Sequence, residues 1–196
     1  MKSKPIIAIH LRHPFVACWQ MTSTQAEKLA GLLPDYEIRL SESREDFQAL
    51  LKVASIAITW NFHQEWLDLA PHLKIIATPA AGKDYFTLQM PLHMQSWNGH
   101  FHGELIAETA VGALLGMCRG LFSANSTLAA QSWPQAEISP QQTTLRGSRI
   151  LVLGFGRIGQ YIGKMLKPFG AHISGMRRNL NLPAPEWFTP DDQLFD

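Results

Sequence analysis

Residues 149–159 read Arg-Ile-Leu-Val-Leu-Gly-Phe-Gly-Arg-Ile-Gly, an apolar run that passes straight into three glycines. A buried parallel strand takes aliphatic and β-branched side chains, and Ile150, Leu151, Val152 and Leu153 supply them. The glycines have the spacing of a dinucleotide-binding turn. Gly154 permits the tight turn, Gly156 lets the backbone approach a pyrophosphate with no Cβ in the way, and Gly159 lets the following helix pack on the strand. The N–H groups of Arg157 and Ile158 then open that helix and face an anion. Ile158–Phe169 is apolar at helical spacing, which gives the motif its strand–turn–helix context; a plain glycine turn without a ligand is the competing reading.

Reading onward, Ala171–Met176 fits the second strand of the unit. The residue that reads the adenosine ribose falls at its end, eighteen positions after Gly159, at Arg177. An acid there would bind the ribose 2′-hydroxyl of NAD, whereas a guanidinium pairs with the 2′-phosphate of NADP. Arg178 and Asn179 follow with no acid nearby, so the sequence favours NADP over NAD, against the alternative of a solvated basic turn.

Composition sets outer bounds. A 46% hydrophobic content over 196 residues fits a globular α/β chain of two domains, and a formal net charge of +1 leaves no footprint for nucleic acid or an anionic membrane. Cys18 and Cys118 stand far apart without metal-ligand neighbours, which fits free thiols in a reducing, cytoplasmic setting. The start, Met1 to Pro5, runs directly into a strand with no export signal behind the lysines. The longest apolar stretch, Leu105–Met117, is interrupted by Glu108 and is shorter than the roughly 20 residues that span a bilayer.

The first hundred residues alternate short strands and helices, the pattern of a parallel sheet covered on both faces. Strands are expected at Ile6–His10, Tyr36–Leu40, Ser55–Thr59 and Lys74–Thr78. Helices are expected at Thr24–Leu33, at Ser43–Ala54 capped by Ser43, and at Gln64–Ala70, stopped by Pro71. A long helix spans Gly103–Arg119, with Glu104 and Glu108 toward its positive end. Gly112 and Gly116 on it would admit a close backbone, from the neighbouring domain or a second subunit, so a homodimer through this half is expected. Residues 131–148, rich in Gln, Ser, Thr and Pro, read as a loop.

The order of these parts, with the loop Thr78-Pro79-Ala80-Ala81-Gly82-Lys83-Asp84 and Ala107-Glu108 within the long helix, resembles the D-isomer-specific 2-hydroxyacid dehydrogenase family, which includes phosphoglycerate dehydrogenases and the glyoxylate and hydroxypyruvate reductases. The resemblance implies a flavodoxin-like substrate domain over 1–101. Over 102–196 it implies the first part of a Rossmann dinucleotide-binding domain with a bridging helix. It further implies hydride transfer between NAD(P)H and a small 2-oxo or 2-hydroxy acid, with the amides of Ala81 and Gly82 holding the substrate carboxylate as an anion nest. Asp84 matches a family acid, with a turn-stabilising role as the alternative. His100 and His102 near Glu104 depart from the family pattern. A metal site is not assigned to them, because an i, i+2 pair shares a side only on a strand and no third ligand is evident; wall residues of the substrate cleft or helix caps are the expected roles.

The family's acid/base histidine, its orienting glutamate and its substrate-binding arginine lie beyond the second strand of the cofactor domain. No position up to Asp196 matches them, so no catalytic residue is assigned. The expectation is a C-terminally truncated dehydrogenase whose 196 residues are inactive alone, with Ala171–Met176 left as an unpaired strand edge beside uncovered apolar surface. A non-catalytic dinucleotide-binding or sensing module is the alternative. A methyltransferase-like glycine turn is opposed by the arginine pair.

Overall fold

A computed structural model describes residues 3–82, 86–128 (backbone alone over 125–128) and 135–196. Lys83, Asp84 and Tyr85 lie outside the described residues, and so do 129–134, which include 131–134 of the expected 131–148 loop. The chain divides into two compact units, Met1–His100 and Phe101–Asp196.

The first unit is a five-stranded, wholly parallel sheet built from β1 (Ile6–His10), β2 (Glu37–Leu40), β3 (Ala54–Thr59), β4 (Ile75–Thr78) and β5 (Gln95–Asn98), in the order β2-β1-β3-β4-β5. This is the flavodoxin-like order, with its switch point between β1 and β3. Alternation along β1 feeds both faces: Ala8 joins Phe47, Leu51, Trp66 and Ile76 on one side, while Ile7 and Ile9 pack with Leu29, Ile38 and Ile58 on the other. Helix α1 (Ser23–Leu32) begins with a reciprocal capping box between Thr22 and Gln25, and α2 (Arg44–Leu51) is capped by the Ser43 hydroxyl.

Three expectations for this unit are corrected. Helix α2 stops at Leu51 instead of running to Ala54, because Ala54 is already fully buried as the first residue of β3. The expected helix Gln64–Ala70 is a single 3₁₀ turn over Gln64–Trp66, since the chain must turn to bury Trp66, Ala70 and Leu73 together. β5 is an addition: its polar sequence Gln-Ser-Trp-Asn lacks the β-branched run that marks a strand, and pairing with β4 creates it.

The second unit opens with α3 (His102–Cys118), followed by α4 (Leu121–Leu128) and the short α5 (Gln135–Ile138), which continues as a 3₁₀ turn over Ser139–Gln141. The last two occupy part of the stretch expected to be loop. Then come β6 (Arg149–Leu153), α6 (Arg157–Leu166) with a 3₁₀ turn over Lys167–Phe169, β7 (His172–Met176) and β8 (Gln193–Phe195). The three strands are parallel in the order β6-β7-β8. β7 is therefore central, not the unpaired edge expected from the sequence. The uncovered apolar surface is present, however: Ile150 and Val152 face the core with Val111, Phe155 and Leu166, while Leu151 and Leu153 are 53% and 71% exposed on the opposite face.

Among the described residues, no backbone is the nearest neighbour of Gly112 or Gly116. A Cβ at Gly112 would meet nothing within 4 Å, and Gly116 accommodates the ring of Phe122 at 3.0 Å. The small residue that α3 uses for packing is Gly103, where a Cβ would sit 2.3 Å from the Tyr161 ring on α6.

Candidate functional site

The β6–α6 turn assigns a different constraint to each glycine. Gly154 has φ +88°, a left-handed conformation that strains other L-residues, and its N–H and that of Phe155 both donate to the Met176 carbonyl (3.1 and 2.6 Å) at the end of β7. Gly156 is the N-cap of α6, and a Cβ there would meet nothing within 4 Å: that side is open. Gly159 is buried, and a Cβ there would lie 2.4 Å from the Gly154 carbonyl oxygen and 3.1 Å from Val152 Cγ1, so its absence sets the helix-to-strand distance.

Between the glycines, Phe155 turns inward, fully buried, against Phe188 (ring centroids 5.5 Å apart) and Trp187 (6.1 Å). It fits because Gly175 leaves its face free; a Cβ at Gly175 would fall 2.3 Å into the ring. The spacing of the motif does not disclose this pair, although a glycine inside a β-strand signals a close approach.

Arg157 and Ile158 occupy the first positions of α6, where N–H groups have no intrahelical acceptor. The first turn holds no acid, and the dipole there favours negative charge. Open backbone at Gly156, helix-opening amides without an intrahelical acceptor and a first turn free of acids fit a dinucleotide pyrophosphate.

Arg177 follows β7, and its N–H donates to the Phe195 carbonyl of β8 at 2.8 Å. Its guanidinium is not the free group that the spacing implies. Nη2 donates to the Leu182 carbonyl and to the Pro183 carbonyl (3.2 Å), and Nε is buried without a partner. Arg178 is exposed and has no partner among the described residues.

In the first unit, Ala81 and Gly82 leave the carboxyl end of β4, beside the edge strand β5. The end of β5 braces them. Asn98 Nδ2 donates to the Gly82 carbonyl, while the Gly99 N–H reaches the carbonyls of Thr78 (2.8 Å) and Ala80 (2.9 Å). A Cβ on Gly99 would sit 1.9 Å from the Pro79 oxygen, so only glycine fits. The amides of Ala81 and Gly82 find no acceptor among the described residues. Asn98 and Gly99 were not singled out by sequence because β5 itself was not. His100 is exposed at the end of this unit, and His102 opens α3 in the other, beside the Phe101 ring at 4.0 Å.

Other polar features serve different ends. The cleft of about 650 Å³ lined by Lys4, Glu37, Arg39 and Lys74 lies at the amino ends of the strands, opposite the edge where open α/β sheets bind ligands. His10 Nδ1 lies 2.8 Å from the buried Ser41 Oγ, and Ser41 donates its hydroxyl to the Ile9 carbonyl at 3.0 Å. Burial first, and then the Arg12 charge, hold His10 below its usual pKa, outweighing the pull of Asp46.

Residues 111–189 match the NAD-binding domain of D-isomer-specific 2-hydroxyacid dehydrogenases. Over 137 residues the chain is 30% identical to a glyoxylate reductase of Thermococcus litoralis, a match that covers 66% of this chain and 41% of that protein. Over 114 residues it is 32% identical to a D-3-phosphoglycerate dehydrogenase of Mycobacterium leprae, covering 56% of this chain and 21% of that one. The chain thus spans less than half the length of these relatives. Among solved structures, a D-isomer-specific 2-hydroxyacid dehydrogenase family protein from Aeromonas salmonicida superposes with a TM-score of 0.73 at 23% identity, covering 98% of this chain and 58% of that one.

Proposed function

We propose that this chain, which belongs to the D-isomer-specific 2-hydroxyacid dehydrogenase family, supplies the substrate domain (1–101) and the adenosine side of the cofactor domain (102–196) of an NADP-preferring oxidoreductase acting on a small 2-oxo or 2-hydroxy acid. The observation that carries this reading is the turn of residues 154–159, with Gly156 open at the N-terminus of α6. Gly154, Gly156 and Gly159 shape the turn, and the amides of Arg157 and Ile158 receive the pyrophosphate. Arg177 and Arg178 lie at the cationic end of the adenosine site, an end that favours NADP over NAD. The nicotinamide supplies the hydride chemistry. Ala81 and Gly82 offer paired amides to the substrate carboxylate, held in place by Asn98 and Gly99.

No residue among 1–196 is assigned the acid/base role, so the 196-residue polypeptide assayed by itself is expected to bind the dinucleotide without turning over glyoxylate or hydroxypyruvate. The protein works in the cytoplasm and pairs through its second unit, where Leu105, Met117 and Phe122 are exposed. Sedimentation reports that pairing. Calorimetric titration with NADPH and NADH tests the cofactor reading: micromolar binding supports it, and no heat from either nucleotide at millimolar concentration removes it.

A further inference from the structure

The two arginines after β7 are not equivalent. A phosphate dianion is gripped best by two parallel N–H groups of one guanidinium. Arg177 cannot present such a pair: its Nη2 is engaged by the carbonyls of Leu182 and Pro183, and its Nε is buried. Only Nη1 remains. Its backbone is fixed as well, through the N–H bond to Phe195. Arg178, the next residue, is exposed and keeps its whole fork free among the described residues. The loop that follows is shaped locally by Asn179, whose Oδ1 accepts from the Asn181 N–H at 3.0 Å.

We propose that Arg178, rather than Arg177, carries the selectivity for a 2′-phosphorylated dinucleotide, and that Arg177 is a positioning residue that folds the 177–183 loop into the floor of the adenosine site. This rests on the dinucleotide reading above. The division of labour has a physical basis. A guanidinium that has already satisfied two backbone carbonyls stabilises the loop for any adenosine ligand, whereas a free one answers only to the extra phosphate.

The test is titration of the full chain and its variants with NADPH and NADH in parallel. Arg178→Ala is expected to weaken NADPH binding roughly tenfold to a hundredfold and to leave NADH unchanged, with a shallower dependence of NADPH affinity on salt. Arg177→Ala is expected to weaken both nucleotides by a similar factor. Arg177→Lys, which can still donate to the Leu182 and Pro183 carbonyls, is expected to recover much of the loss for both. The assignment is overturned if Arg177→Lys or Arg177→Ala abolishes the NADPH preference while Arg178→Ala retains it, or if Arg178→Ala weakens both nucleotides equally. Failure of the parent chain to bind either nucleotide removes the dinucleotide reading and this assignment with it. A parent that binds, with its preference unmoved by Arg178→Ala, removes this assignment alone.

Discussion

Replacing Asp192 by asparagine tests the joint that holds β8 onto β7. The side chain is fully enclosed and accepts from Lys167 Nζ on both oxygens (2.9 and 2.8 Å), from the Ile173 N–H (2.6 Å), and from the Thr189 N–H (2.7 Å) and hydroxyl (2.9 Å). Burial alone pushes this carboxyl up. The Lys167 ammonium, the two amides and the hydroxyl outweigh it and hold the group at about 2, below the ordinary 3.8. At about 1.36 kcal/mol per pH unit, that separation corresponds to about 2.5 kcal/mol. A folded-state pKa below the unfolded one stabilises fully above the unfolded value. The contribution is lost as pH falls from 3.8 toward 2. At neutral pH, Asp192→Asn also leaves the Lys167 ammonium, 19% exposed, without its counter-charge, and breaking such a pair costs about 3–5 kcal/mol. Urea unfolding at pH 7, with hydrogen exchange at the Ile173 and Leu194 amides, measures the loss. An acid titration then compares slopes: below pH 4 the parent should lose stability more steeply than the variant. A variant within about 1 kcal/mol of the parent at pH 7, with the same acid slope, would refute the reasoning.

Other perturbations separate ligand contacts from packing. Gly159→Ala places a Cβ against the Gly154 carbonyl, so about 1–3 kcal/mol of stability should be lost in a thermal melt. Gly156→Ala, with open space around it, should melt within about 0.5 kcal/mol of the parent yet weaken NADPH binding. Gly99→Ala collides with the Pro79 carbonyl, and a loss of about 2 kcal/mol or more by urea unfolding is expected, against about 1 kcal/mol for Asn98→Ala. His10 is held below its ordinary value of 6.5 by burial, so the first unit should lose stability as pH falls through 6.5 and level off once His10 protonates in the fold; His10→Phe should flatten that slope.

How far the fold is legible in the sequence depends on where each element gets its stability. β1, β3, β4, β6 and β7 lie at or close to the expected positions, because Ile-Ile-Ala-Ile and Ile-Leu-Val-Leu carry their own strand preference. β5 and β8 are strands only through their neighbours. Gln95–Asn98 pairs in register with Ile75–Thr78, and Gln193–Phe195 is laid against Ser174–Met176 by the Asp192 network, which begins one residue earlier. Neither source of stability is local, so neither leaves a periodic pattern. The helix expected over Gln64–Ala70 errs in the opposite sense: its residues have helical spacing, but Trp66 and Ala70 are needed under the sheet and Pro71 allows one turn only.

The candidate site divides along the same line. What the glycine spacing encodes is backbone, and backbone is what the structure returns: a left-handed Gly154, an open Gly156 and a crowded Gly159. What it does not encode is which donors are already occupied. Two adjacent arginines look interchangeable in sequence, yet carbonyls five and six residues further on engage one and leave the other free. The pyrophosphate turn can be read from a motif because its specificity lies in the absence of side chains. Under the proposed assignment, the choice between NADP and NAD turns on side-chain hydrogen bonds formed only after residues 177–183 have folded back, which is why the measurement belongs at Arg178.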